Sequence, residues 1–322
     1  MGKKILGIHH ITALAGDPQE NFDFYAGFLG LRLLKKTVNY DDPQTYHFYY
    51  GDAEGSPGTV LTFFPVGANS YRLSPGAGLV SAVSWSVPAG ALEYWIQRLW
   101  AHSIEVHGPF ERFGERAVAF QDPDGLQLEL VETAEASGKH WEYGPVSRDY
   151  AIRGFHSATL AVRNHQPTEQ LLIGGLELQP LVAEGNRRRY VSASGGPGRL
   201  VDILEQAEGR YGIVGLGAVH HIAWRTPDDR TQLELRGTLE REGYALSPVL
   251  DRNYFRSVYF REPGRILFEI ATDPPGFMVD EPADRLGTEL KLPRFLEAQR
   301  ETIERFLEPV AVPEFNKSGA QP

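Results

Sequence analysis

No cysteine occurs in the 322 residues. That excludes disulfides, a thiolate nucleophile and sulfur ligation, so any metal must be held by His, Asp or Glu. No apolar run approaches the roughly 18 residues that a membrane-spanning helix needs. The basic pair Lys3-Lys4 is followed only by "ILGI", too short for the apolar region of a secretory signal. Clustered positive charge is scarce as well. The formal net charge is −10, which argues against nucleic acid or an anionic membrane as partner, since both demand grouped Lys and Arg. The one dense basic run, Arg187-Arg188-Arg189, reads as a solvated strand edge. A soluble, cytoplasmic protein is the expectation that these absences leave.

What is present is ordinary in bulk: 42% hydrophobic, 11% aromatic and 23% charged residues. The length suits about two domains with sizeable cores, expected over 1–150 and 151–322. Internal repeats carry more information. "AVAFQDPDGLQLEL" (117–130) and "SVYFREPGRILFEI" (257–270) match at a common offset of 140 residues, aligning Pro123 with Pro263 and Glu129 with Glu269. Both read as strand, Pro/Gly turn, strand. "GGPGRLVDILE" (195–205) is a weaker copy with Asp202 near the acid position, and "GTVLTFFP" (58–65) keeps the strand without the acid. Ahead of each copy lies a strand-like segment: "IHHITAL", "LVSAVSWSV", "FHSATLAV" and "VHHIAWRT".

A candidate helix follows each of these segments. In "DPQENFDFYAGFLGLRLL", Asp17 is a plausible N-cap and Pro18 stands at the first helical position, while Phe22, Tyr25, Phe28 and Leu29 keep helical spacing. The unit is therefore βαβββ, about 55–70 residues long and repeated four times. The fold class expected is α+β, four such modules pairing into two barrel-like sheets, with a C-terminal helix over "PRFLEAQRETIERFLEPV" packed through Phe295, Leu296, Gln299, Ile303, Phe306 and Leu307. "ETAEASGKHWEYGPVSRDYA" (132–151) separates modules two and three.

Four of the 10 histidines sit in two doublets, His9-His10 and His220-His221, at matching places in modules one and four. Strand side chains alternate between faces, so one histidine of each doublet is expected to face a cleft while the other lies behind or beside it. With Glu269 they make a set of two imidazoles and one carboxylate, the arrangement associated with non-haem Fe(II) that keeps open positions for dioxygen. A single strand histidine is more often a hydrogen-bonded structural residue, but two doublets at repeat-matched positions weigh against that. Glu129, whose module begins "LVSAVSW" without histidine, reads as an ordinary strand residue. Asp202 with His156 offers only a thin second metal constellation.

The βαβββ repeats, with His near a first strand and Glu on a last strand, resemble the vicinal oxygen chelate superfamily. More closely, "LGIHHITALAGDPQENFDFYAGFLGLRLLKKTVNYDD", "RFGERAVAFQDPDG", "RGFHSATLAV", "EGNRRRY", "VHHIAW" and "ILFEIATDPPGF" resemble the ring-cleaving dioxygenases that act on hydroquinones, over about residues 5–310. The resemblance implies His10, His221 and Glu269 as metal ligands for Fe(II), with Mn(II) as the alternative ion. It implies His9, Thr12, His220, Arg252 and Tyr259 as the catalytic surroundings. A small aromatic substrate and O2 follow as partners, and a homo-oligomer is left open. Ligands drawn from modules one and four require those two modules to be neighbours across one cleft, with modules two and three paired beside a second. Aromatics such as Phe255 or Trp224 are candidates to line it. The rival readings are a glyoxalase-type metal-dependent isomerase and a metal-free protein that sequesters a small molecule.

Overall fold

The structure, a computed structural model, describes residues 4–134, 138–192 and 198–312. Module one contains β1 (Ile8–Ala15), α1 (Pro18–Phe22, widening into a π-helical turn over Asp23–Phe28), β2 (Arg32–Asn39), β3 (Asp42–Gly51) and β4 (Val60–Pro65). The Asp17 carboxylate caps α1 by accepting from the Glu20 N–H at 2.8 Å, with Pro18 at a position that needs no amide donor. Phe22, Tyr25, Phe28 and Leu29 are all buried, as their spacing predicts.

Module two contains β5 (Leu79–Pro88), α2 (Leu92–Ala101), β6 (His107–Arg112), β7 (Glu115–Gln121) and β8 (Gln127–Thr133). Module three has β9 (Phe155–Val162), a short α3 (His165–Gln170) with its own π-helical turn, β10 (Gln179–Glu184), β11 (Arg187–Val191) and β12 (Leu200–Glu205). Module four has β13 (Val219–Thr226), α4 (Asp229–Arg241), β14 (Leu250–Asp251), β15 (Arg256–Arg261) and β16 (Leu267–Thr272).

Two eight-stranded sheets result, in the orders β14-β15-β16-β13-β1-β4-β3-β2 and β10-β11-β12-β9-β5-β8-β7-β6. Each is made of two modules joined antiparallel through their first strands, β1 with β13 and β5 with β9. Modules one and four thus share one sheet, and two and three the other. The register exposes the internal symmetry. Glu269 lies beside Ala223, Thr62 beside Thr12, Glu129 beside Ser84 and Asp202 beside Thr159, each in the parallel pair formed by a module's first and last strands. Thr62 is therefore module one's counterpart of Glu269.

Nearly every residue of β1 and β9 is buried, as expected of strands covered on both faces. The helices cover one face. On the other face of the first sheet a small apolar cluster joins Leu34, Tyr49, Tyr254 and Phe255 to Phe277 and Leu286. The last two belong to a strap, residues 273–292, that crosses the sheet after β16.

The C-terminal helix is shorter than its spacing suggests. α5 spans Arg300–Phe306 after a 3-10 turn over Glu297–Gln299. Leu296, Ile303 and Leu307 are buried, while Phe295 and Phe306 are exposed, because the chain is not yet α-helical at 295 and residue 306 lies off the 296–303–307 stripe.

Candidate metal centre

Both doublets sit on bulges. Along the β1–β13 ladder, Ile8 pairs with Trp224 and His10 with Ala223, so His9 is the extra residue; Thr12 pairs with His221 and Ala13 with Val219, so His220 is the extra residue on the other strand. A bulge breaks the simple alternation of faces and re-aims the side chain. Adjacent histidines consequently lie side by side instead of pointing apart. The Nδ1 atoms of His9 and His10 are 2.9 Å apart, and those of His220 and His221 are 2.8 Å apart. In each doublet the first imidazole holds the second by Nδ1, leaving the second ring's Nε2 free to face inward.

The Nε2 atoms of His10 and His221 and Oε2 of Glu269 converge. His221 Nε2 is 2.9 Å and His10 Nε2 3.4 Å from Glu269 Oε2, and the two nitrogens are 3.4 Å apart. All three side chains are buried. Ser257 Oγ donates to Glu269 Oε1 at 2.5 Å, whereas Oε2 has no well-formed hydrogen bond. Burial lowers the pKa of His221, and the facing imidazoles hold Glu269 well below the carboxylate range despite its burial. A neutral imidazole and an ionised carboxylate are the forms that ligate a metal. Three lone-pair atoms aimed at one another in a buried site repel unless a proton or a metal cation lies among them. Ligands about 2.1 Å from one ion stand about 3.0–3.4 Å from each other in octahedral or tetrahedral geometry, which is the spacing found. Among the described residues this is the one such group of three.

The centre opens into a cleft of about 400 Å³. His220, Arg252, Tyr259 and Phe255 line it together with His10 and His221. Burial beside His221 pushes His220 down to about 4, leaving its ring neutral, and burial raises the Tyr259 phenol above its ordinary range, keeping its proton. The Arg252 guanidinium sits 5.6 Å from the Tyr259 ring centre and donates to Asp41 at 3.1 Å. The Phe255 ring tilts against His10 with centroids 4.7 Å apart.

His9 and Thr12 are buried and are not among the cleft-lining residues: His9 backs His10, and Thr12 Oγ1 shares a 2.7 Å hydrogen bond with Thr62. Trp224 is not a wall residue either. It is buried against Phe268, because its strand position faces the helix-side core.

Sequence reading missed His47, Tyr49 and Phe64, which also line the cleft. His47 Nε2 meets Thr62 Oγ1 at 2.9 Å, and the Tyr49 hydroxyl meets His47 Nδ1 at 2.9 Å. The i, i+2 placement of His47 and Tyr49 on a strand is the signal that puts both on one face.

The second sheet handles the same positions differently. Glu129 is not an ordinary strand residue. Arg112 grips both its oxygens at 2.8 and 2.9 Å, and Ser84 donates to it at 2.6 Å. Nor is the 187–189 run a solvated edge, since Arg189 is buried and grips Asp202 at 2.7 and 3.1 Å while Arg187 adds a contact at 3.3 Å. Asp202 and His156 form no metal constellation: His156 turns to Glu115 at 3.0 Å, and Glu115 also pairs with Arg189. Guanidinium groups here balance the inward carboxylates.

One acid effect follows from that network. Burial opposes the charge of Glu115, but His156 and Arg189 hold its carboxyl at about 2 against an ordinary 4.5. The unfolded chain therefore takes up this proton first as pH falls, and the stabilisation, fully present above about 4.5, is lost between about 4.5 and 2. Glu115→Gln should show a shallower loss of urea-unfolding stability than the wild type across that window.

Residues 7–130 match the glyoxalase/bleomycin resistance protein/dioxygenase superfamily. The chain is 49% identical over 98% of its length to all of MhqO of Bacillus subtilis, named as a candidate ring-cleaving dioxygenase. It is 35% identical over 96% of its length to 98% of a chlorohydroquinone/hydroquinone 1,2-dioxygenase of Sphingobium indicum. A crystal structure of a candidate dioxygenase from Bacillus subtilis superposes with a TM-score of 0.93 at 48% identity, covering 97% of this chain and 99% of the other. Glyoxalase I from Zea mays, at 14% identity and a TM-score of 0.62 over 83% of this chain and 92% of that one, shares the fold.

Proposed function

Because the chain belongs to the ring-cleaving dioxygenase family of the glyoxalase/bleomycin resistance protein/dioxygenase superfamily, we propose that it opens the aromatic ring of hydroquinone or a substituted hydroquinone with O2, using Fe(II) held by His10, His221 and Glu269. The observation that carries this reading is the donor set: two imidazoles and a single carboxylate, with Thr62 standing where a second acid would make the site richer in charge. That set leaves several coordination positions for substrate and O2, and Mn(II) suits the same donors. The bound ion supplies the acidification of a ring hydroxyl and the activation of O2.

The remaining chemistry belongs to this chain's own groups. His9 and His220 accept the Nδ1 protons of the ligand imidazoles and so fix their tautomers. Phe255, Phe64 and Tyr49 form apolar walls that seat a flat ring and exclude water. The neutral His220, whose Nδ1 accepts from His221, presents its Nε2–H to a ring oxygen, and the protonated Tyr259 donates a proton as the ring opens. Arg252 offers a fixed positive charge to an oxyanion. Thr12, tied to Thr62, holds the strand pair under His10 in register.

An oxygen electrode tests the proposal. The Fe(II)-loaded protein should consume one O2 per hydroquinone with loss of the aromatic absorbance. Conversion of a hemithioacetal with no oxygen uptake would assign the isomerase reading instead, and tight binding of hydroquinone with neither metal nor turnover would assign sequestration.

A further inference from the structure

Arg252 and Phe255 reach the cleft from a turn, residues 251–256, whose ends Asp251 and Arg256 pair in the β14–β15 ladder and in which the Asn253 N–H donates to Asp251 Oδ1 at 2.8 Å. Asn253 stands at φ +66°, the Tyr254 N–H donates to Arg252 O at 2.8 Å, and the Arg252 N–H donates to Phe255 O at 3.0 Å. Outside the turn, Arg252 donates to Asp41 at 3.1 Å and the Arg256 N–H donates to Thr272 Oγ1 at 3.0 Å, while the turn's middle residues are held by the strap. The Gly276 N–H donates to Tyr254 O at 2.9 Å. Asp280 Oδ2 accepts from the Tyr254 hydroxyl at 2.9 Å and from Asn253 Nδ2 at 3.3 Å. Asp280 is in turn fixed from below, where its Oδ1 accepts from Lys35 Nζ at 2.5 Å.

Lys35 is wholly buried on β2. Its ammonium also meets Glu281 at 2.5 Å and lies 5.1 Å from the Tyr254 ring centre. A buried ammonium is retained at considerable cost in desolvation unless its partners are fixed, so the strap must stay in place for the fold to tolerate it. The strap is held closely: a Cβ on Gly287, at φ +74°, would stand 2.1 Å from Leu33 O.

We propose that Asp280, anchored by Lys35, is a positioning residue that sets Arg252 and Phe255 against the bound aromatic ring. The inference rests on the ring-cleaving reading for what the ring is, not for where the turn is held. Neither Asp280 nor Tyr254, the two residues altered below, touches a metal ligand, so metal binding stays intact when the link is cut.

The test uses the full-length, metal-loaded protein with Tyr254→Phe, which deletes one hydroxyl, and Asp280→Asn, which keeps the side chain's shape. Three quantities are read: metal per chain, amide hydrogen exchange of residues 250–256, and kcat and KM for hydroquinone. Both variants should keep one metal per chain. Exchange in the turn should rise about tenfold, the scale of one net hydrogen bond, with KM rising about tenfold and kcat moving far less. A merely structural link would lower the unfolding temperature and leave KM alone; an unchanged KM in both variants overturns the proposal. Should the wild type not turn over hydroquinone, the ring-cleaving reading falls, and exchange decides the anchoring by itself: raised exchange in the turn sustains it, and unchanged exchange overturns it.

Discussion

Replacing Glu269 with alanine should abolish stoichiometric metal binding and lower hydroquinone-dependent oxygen uptake by at least about a thousandfold, the scale on which metal chemistry depends on its ion. Glu269 supplies the only negative charge of the donor set. Without it two neutral imidazoles face a divalent ion in a dry site, and each ion–ligand contact made there has to replace hydration with less compensation. The fold should survive, because losing the carboxylate also relieves a fully buried charge whose inner oxygen has no protein hydrogen bond. The internal control is Glu129→Ala. It alters the residue that aligns with Glu269 in the repeat, but one paired with Arg112, so metal content should be unchanged. Retention of metal in Glu269→Ala, or its loss in Glu129→Ala, would put the centre in the wrong sheet.

The second large effect concerns stability. Asp202→Ala should destabilise the protein by about 3–5 kcal/mol, since it leaves the buried Arg189 guanidinium with Glu115 as its remaining carboxylate and takes the same partner from Arg187. Replacing Arg189 and Asp202 together with Met and Leu should recover much of that loss, because a buried ion pair is worth little more than well-packed apolar side chains of similar volume. Urea unfolding of Arg189→Met, Asp202→Leu and the double variant measures the coupling directly. A single-variant cost under about 1 kcal/mol would mean that water already solvates this network. Oxygen uptake should be retained in whatever fraction is folded.

The repeat made most of this architecture legible. A shared offset of 140 residues aligns two hairpins and brings Glu129 and Glu269 to one structural position, and ligands drawn from modules one and four place those modules across one cleft. Pattern could not show the bulges. Strict alternation sends adjacent histidines to opposite faces, and only the pairing of β1 with β13 turns His9 and His220 alongside their neighbours. Charge was read by composition where burial decides: Arg187 and Arg189 look like solvent-facing residues until the carboxylates opposite them on β12 and β7 are known. Lys35 was invisible for the same reason, since its partners lie about 245 residues further along the chain. His47 carried a local signal, a strand-face match with Tyr49, but no repeat partner drew attention to it.

The central claim is that one ion is shared between the two ends of the chain, and Co(II) titration followed by optical absorption tests it most directly. The wild type should saturate at one equivalent, with weak visible bands from nitrogen and oxygen ligands and no sulfur charge-transfer band. His10→Ala, altered in module one alone, should lose the saturable bands although His221 and Glu269 remain. Binding at one equivalent with an unchanged spectrum in His10→Ala would contradict the account.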